Sequence, residues 1–292
     1  MKPALGLALS VWIAATAWAA PENAARAPGE ESAVISYLAT SRVDFDDPEN
    51  PALSGRVAIQ ESALSAPLAH KKFGAVSLAA GAWAGWTRLD FRDHPDLDAE
   101  DLYGLAAILA AARPAESGWG WSALVLPGFY SDFRSGRTGE GKILLHAAAD
   151  YAFSAKWRAQ LGLAYDTAFG DPALYPVGGL VWQATDALAL RFVLPAPSAY
   201  WAPAENWGFF ANLQPAGDRW IVDDDADGEQ EFLIECWRAG LGCERRLRGD
   251  VWLRLAGGLE FERRYEARDG ARLVLDDEVD DAAFLSVAVV LY

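Results

Sequence analysis

The sequence predicts an all-β fold: a transmembrane antiparallel β-barrel of about 12–14 strands, preceded by a cleaved signal peptide, with apolar side chains turned outward. Three observations predict it. Hydrophobic residues make up 52% of the 292, yet beyond the leader no run approaches the ~20 apolar residues that a spanning helix needs. Apolar and polar residues alternate along most segments, the period of a strand with two different faces. The connections between segments alternate between short and long.

The opening residues MKPALGLALSVWIAATAWAA put Lys2 ahead of an uncharged apolar run that closes on Ala17-Trp18-Ala19. That is the form of a signal peptide cut after Ala19, spanning residues 1–19. Residues 20–32 are small and polar, a flexible periplasmic leader, and 33–292 remain for the barrel. Loss of Lys2 takes the formal net charge from −16 to −17. Such acidity argues against a nucleic-acid partner, whose phosphates it would repel. Cys236 and Cys243 are seven apart on one strand, hence on opposite faces, and cannot bridge each other without breaking it.

Candidate strands run near 33–45, 56–66, 73–91, 101–113, 119–130, 142–153, 157–168, 174–184, 186–194, 206–213, 218–223, 231–245, 250–265 and 281–292. Fourteen is even, as termini on one side of the membrane require. If 206–223 is a single excursion, twelve remain. The alanine-rich 101–113 also suits a helix, and strand is preferred. The clearest strand is KWRAQLGLAYDTAFG. Trp157, Ala159, Leu161, Leu163 and Tyr165 share one face, aromatic at both ends and aliphatic between, as a strand crossing a bilayer requires. Arg158, Gln160, Gly162, Ala164 and Asp166 share the other. In GDVWLRLAGGLEFERRYEA, Val251, Leu253, Leu255, Leu259, Phe261 and Tyr265 alternate with Trp252, Arg254, Glu260, Glu262 and Arg264. The apolar set is expected against lipid and the charged set in a polar lumen, because a charge facing midplane hydrocarbon costs about 2–4 kcal/mol.

Short connections are expected at APLAHKK, PAESG, SAK, ATD, PAG and RLRG, with long ones including DDPENPALSG, RDHPDLDAE, SDFRSGRTGEG and APSAYWAPAEN. The long loops carry much of the acid and the short ones favour base, as at Lys71, Lys72, Lys156, Arg246 and Arg248. At the chain's end Phe284, Val290 and terminal Tyr292 share a face. The pattern resembles the C-terminal signal of outer-membrane barrels, with Tyr standing where Phe is usual, and implies the barrel-assembly machinery as a partner.

Taken together, three stretches resemble a family of Gram-negative outer-membrane β-barrels whose function is uncharacterised. These are Leu102 to Phe133 with GWGWSALVLPGFYSDF, the run YPVGGLVWQATDALALRFVLPAPSAYW, and ECWRAGLGCERRL ahead of a glycine-centred strand. The resemblance implies an outer-membrane location and lipid as a partner; it supplies no activity and no catalytic residue.

Chemistry-bearing patterns are sparse. His146 and Asp150 share a strand face, but positions i and i+4 on a strand stand about 13 Å apart, too far for a catalytic hydrogen bond. No GxSxG nucleophile motif occurs, so a hydrolase is the least favoured reading. Asp223 to Gly228 begins like a calcium loop, yet its twelfth position is Ile234, which rules out a complete EF-hand and leaves at most weak divalent cations at acidic loops. No cofactor or catalytic metal motif is found. The expectation is a non-enzymatic outer-membrane barrel, a passive channel or structural barrel for small polar solutes, lined by His146, Asp150, Arg158, Asp166, Arg191, Arg254, Glu260 and Glu262. A secreted soluble all-β protein is the alternative.

Overall fold

In a computed structural model the described residues are 32–45, 54–95, 97–115, 118–133, 140–224, 228–269 and 272–292. Residues 1–31, and with them the expected signal peptide and leader, lie outside them. Every regular element among the described residues is a strand. In order they are β1 (Ala33–Thr40), β2 (Val43–Phe45), β3 (Gly55–Phe73), β4 (Val76–Arg92), β5 (Glu100–Arg113), β6 (Gly118–Ser131), β7 (Glu140–Ala152), β8 (Trp157–Asp166) and β9 (Ala173–Thr185). There follow β10 (Leu188–Leu194), β11 (Ser198–Ala204), β12 (Trp207–Pro215), β13 (Asp218–Asp224), β14 (Gly228–Arg248), β15 (Val251–Asp269), β16 (Arg272–Val279) and β17 (Ala282–Leu291).

These seventeen segments form fourteen barrel strands. Pro215 pairs with Trp237 and Asp218 with Ile234 in an unbroken register, so β12 and β13 are one strand interrupted at Ala216-Gly217. The pairings Glu260 with Ala282 and Arg263 with Val279 join β16 and β17 in the same way. β1 and β2 both pair with β3 and make a third broken strand. Every pairing is antiparallel, and β1 against β17 closes the sheet. Both ends of the closed wall, Ala33 and Leu291, lie opposite each other. This end holds tight turns such as Gly74-Ala75 and Gly249-Asp250, whose glycines take φ of 59° and 55°. We call it the terminal end and the other the loop end.

The fourteen expected strands and the fourteen observed ones differ in two places that offset each other. The chain from 206 to 223 is one strand, and 198–204, expected inside a loop, is a strand. APLAHKK is no turn either, because β3 continues through it to Phe73. The 101–113 segment is strand, paired to both neighbours.

The apolar faces point outward. Leu161 is 71% exposed and Leu285 73%, whereas Gln160 and Ala164 on the opposite face of β8 are buried. Trp119, Trp157 and Trp201 are exposed near the terminal end, and Tyr103, Phe129 and Tyr165 near the loop end, with leucines between. Trp157 and Trp182 stack at 5.2 Å. Two aromatic girdles about an aliphatic band is the lipid-facing pattern of a membrane barrel.

One register step corrects the reading of β15. Opposite Glu235 to Trp237 of β14, β15 carries one extra residue, and Glu262 takes a left-handed φ of 49°. Before this bulge Trp252 and Glu260 face in. After it Arg263, Tyr265 and Ala267 do. Glu262, expected in the lumen, is therefore exposed on the outside, and Tyr265, expected outside, is buried within. Arg264 likewise faces out, bonded to Asp276 at 2.8 Å. The step falls where the outer surface changes from Leu255, Leu259 and Phe261 to Glu262, Arg264 and Arg268.

In the last strand the expected shared face is the inner one. Phe284, Val290 and Tyr292 are buried inside, while Leu285, Val287, Val289 and Leu291 are the exposed outer face. An outward apolar signal, if the strand carries one, consists of the second set.

Candidate functional site: a divided lumen

The lumen is filled unevenly. Toward the loop end it holds a packed apolar cluster in which Val57, Ile59, Leu89, Leu102, Leu126 and Tyr265 are almost wholly buried. The packing is tight because the barrel is pinched there: β13 lies against β6 and β7, strands far from it in sheet order. Lys142 of β7 reaches Asp218 of β13 at 3.4 Å and lies over the Tyr130 ring, 4.4 Å from its centroid. Thr167, in the loop after β8, donates to the same Asp218 carboxylate at 2.7 Å. That loop also packs Phe169 edge-on to Trp237 and accepts the Gly217 N–H at Ala168. The Ala216-Gly217 interruption is the seat for this loop.

Two cavities remain, one at the pinch and one below it. The upper one, of about 110 Å³, is lined by residues including Leu124, Tyr175, Trp220, His146, Asp166 and Asp218. The lower one, of about 460 Å³, extends toward Ser32 and His70 at the terminal end. Trp83 and Arg238 line both and form the partition. Gly85 and Gly104 seat the Trp83 indole, since a Cβ on either would sit within 2.4–2.7 Å of its ring. Arg238 is gripped from two sides: Glu61 of β3 accepts from it at 3.2 Å, and Glu260 of β15 accepts from both its Nε and Nη2. Arg263 Nε stands 3.5 Å from Glu260. Buried charges survive only when paired this closely.

The residues expected to line the lumen are dispersed along it. His146 and Asp166 line the upper cavity, where Asp166 accepts the Tyr175 hydroxyl at 2.7 Å. Asp150 is buried in the wall with Arg158 Nε 3.7 Å from its carboxylate. Arg191 and Arg254 line the lower cavity. Arg191 donates to Gln160 at 2.8 Å; Arg254 pairs with the buried Glu244, which also accepts the Tyr292 hydroxyl. Glu260 belongs to the partition, and Glu262 lies outside the barrel. Sequence reading missed Glu61, Trp83, Arg238 and Glu244. Strand parity could have found Arg238, which shares the inward face of β14 with Cys236. Cys236 and Cys243 are free thiols, and Cys236 is the buried one. No cluster able to hold a metal ion occurs among the described residues, and Asp225 to Asp227 of the calcium-like run lie outside them.

No family model and no curated protein matches the chain. Three solved structures bear a distant likeness to the chain. An outer-membrane channel of Pseudomonas putida F1 is similar over 93% of this chain and 98% of its own, with 10% identity and a TM-score of 0.41. The toluene transporter TodX of Pseudomonas putida covers 91% of this chain and 90% of its own at 10% identity and 0.34. OpdQ of Pseudomonas aeruginosa covers 89% and 99% at 10% identity and 0.34. Likeness this distant carries no argument about cargo; the closed sheet described above rests on its own pairings.

Proposed function

We propose that the chain is a non-catalytic outer-membrane barrel that conducts small polar solutes and is closed at the partition. Its tight-turn terminal end faces the periplasm. The outward leucines between two aromatic girdles support the membrane placement, since that surface would be insoluble in water. The observation that carries the conduit reading is the thinness of the partition. Two cavities lie in line, and the same indole and guanidinium border both. Fourteen strands enclose more space than the eight whose interior side chains alone can fill.

Purified full-length protein in planar bilayers tests this reading. Small stepwise conductance is expected from the wild type, and larger steps from Trp83→Ala, which removes the ring between the cavities. Absence of steps from both would leave a structural barrel, the reading that the packed loop end favours. Sedimentation of the protein with the soluble fraction would overturn the membrane placement.

A further inference from the structure

The charged side chains that line the two cavities are mostly of opposite sign. The upper is lined by Glu61, Asp166, Asp218 and Glu260, with Arg238 at its floor. The lower is lined by Arg191, Arg238 and Arg254, and by no Asp or Glu among the described residues. In a chain with 41 acidic and 25 basic residues, such a lining departs from what composition alone would give. The carboxylates that pair with Arg238 and Arg254 do not line the lower cavity: Glu244 and Glu260 have wholly buried side chains, and Glu61 and Glu260 line the upper cavity, while Arg191 bonds Gln160 with the buried Asp150 nearby. The guanidiniums lie over aromatic rings, Arg254 at 5.6 Å from the Phe210 centroid and Arg238 at 5.5 Å from that of Phe284. Both rings line the lower cavity, with Tyr37, Leu38 and Ile108 completing an apolar wall. Ser36, Ser198, Asn212 and Ser286 add neutral hydrogen-bonding groups.

We propose that the lower cavity is a binding site for a small organic anion with an apolar body, a monocarboxylate bearing a ring or branched chain. Its carboxylate sits against Arg191, whose planar fork suits two-point recognition, and its body sits against Phe210, Phe284 and Ile108. The volume of about 460 Å³ falls within the range of small-molecule sites, roughly 300–1,000 Å³. The proposal rests on the conduit reading only for how the ligand arrives; the site itself needs no conduction.

The test is calorimetric titration of the full-length protein in detergent micelles with three isosteres: cyclohexanecarboxylate, cyclohexanecarboxamide and cyclohexylmethylammonium. The carboxylate is expected to bind at least tenfold more tightly than the amide, with no binding of the ammonium. Arg191→Gln is expected to weaken the carboxylate at least tenfold. Lys156→Gln, the same charge change at an exposed turn, is expected to leave it unaltered. Equal binding of carboxylate and amide, no binding of either, or an Arg191→Gln protein with wild-type affinity would overturn the proposal. Should Arg191→Gln fail to fold, the isostere series on the wild type decides alone. A barrel that binds the carboxylate yet never conducts would remove the conduit and keep the site; one that conducts without preferring the carboxylate would remove the site and keep the conduit.

Discussion

The two halves of the lumen are built from the same sheet and solve opposite problems. Toward the loop end, long strands β14 and β15 carry Phe232, Ile234, Tyr265 and Ala267 inward, β13 folds across to β6 and β7, and apolar side chains pack the interior around the small upper cavity. Toward the terminal end, alanine, serine and glycine dominate the inward positions, such as Ala256, Ser286 and Ala288, and space remains. Side-chain volume therefore sets where this barrel is solid and where it is hollow. The partition at Trp83 and Arg238 marks the change.

Mutations should separate these halves in a graded series, read by urea unfolding of the protein in lipid vesicles. The largest effect is expected at the partition: Glu260→Leu strips Arg238 of its closer carboxylate inside the barrel, a loss of about 3–5 kcal/mol for a broken buried pair. Comparable tolerance to wild type there would mean that water already solvates Arg238. Next, Leu102→Ala in the packed half should cost about 2–5 kcal/mol through lost burial and the void left behind. A cost near zero would show the loop end to be loosely filled. On the outer wall, Leu255→Arg should cost about 2–4 kcal/mol and reduce the folded, heat-modifiable band on gels. Wild-type yield would reverse the assignment of faces. Least of all, Ser286→Leu should change stability by under about 1 kcal/mol, since the added carbons enter open space and escape the strain of an overfilled core. A penalty above about 2 kcal/mol would mean that the lower cavity is not hollow.

Much of the fold was legible because the side-chain period of a strand is strict. Leu161 and Leu163 against Gln160 and Ala164 needed only parity, and the structure places both sets as that parity requires. Two kinds of feature were hidden. Pro195, Pro197 and Pro203 made 195–205 read as a loop, although the first two precede β11 and the third falls where its register against β12 shifts, and Pro215 made one strand read as two. The bulge at Glu262 was invisible for another reason. It uses no glycine, and one extra residue exchanges the faces of everything beyond it, so Glu262 and Tyr265 swapped sides. Long-range chemistry was hidden too. Glu61 and Arg238 are 177 residues apart and meet only because the sheet closes. Arg254 read from sequence only as a lumen-lining charge, whereas the buried Glu244 behind it makes Arg254→Leu a charge-stranding change.

The short strands on one side have a mechanical corollary. β10 and β11 have seven residues each, about 23 Å end to end at ~3.3 Å per residue. Tilted as barrel strands are, they stand about 18 Å tall, against the roughly 25 Å of an ordinary apolar band. Lipid beside them would have to thin while lipid beside β14 and β15 would not, giving the molecule a lopsided footprint and a preferred lean.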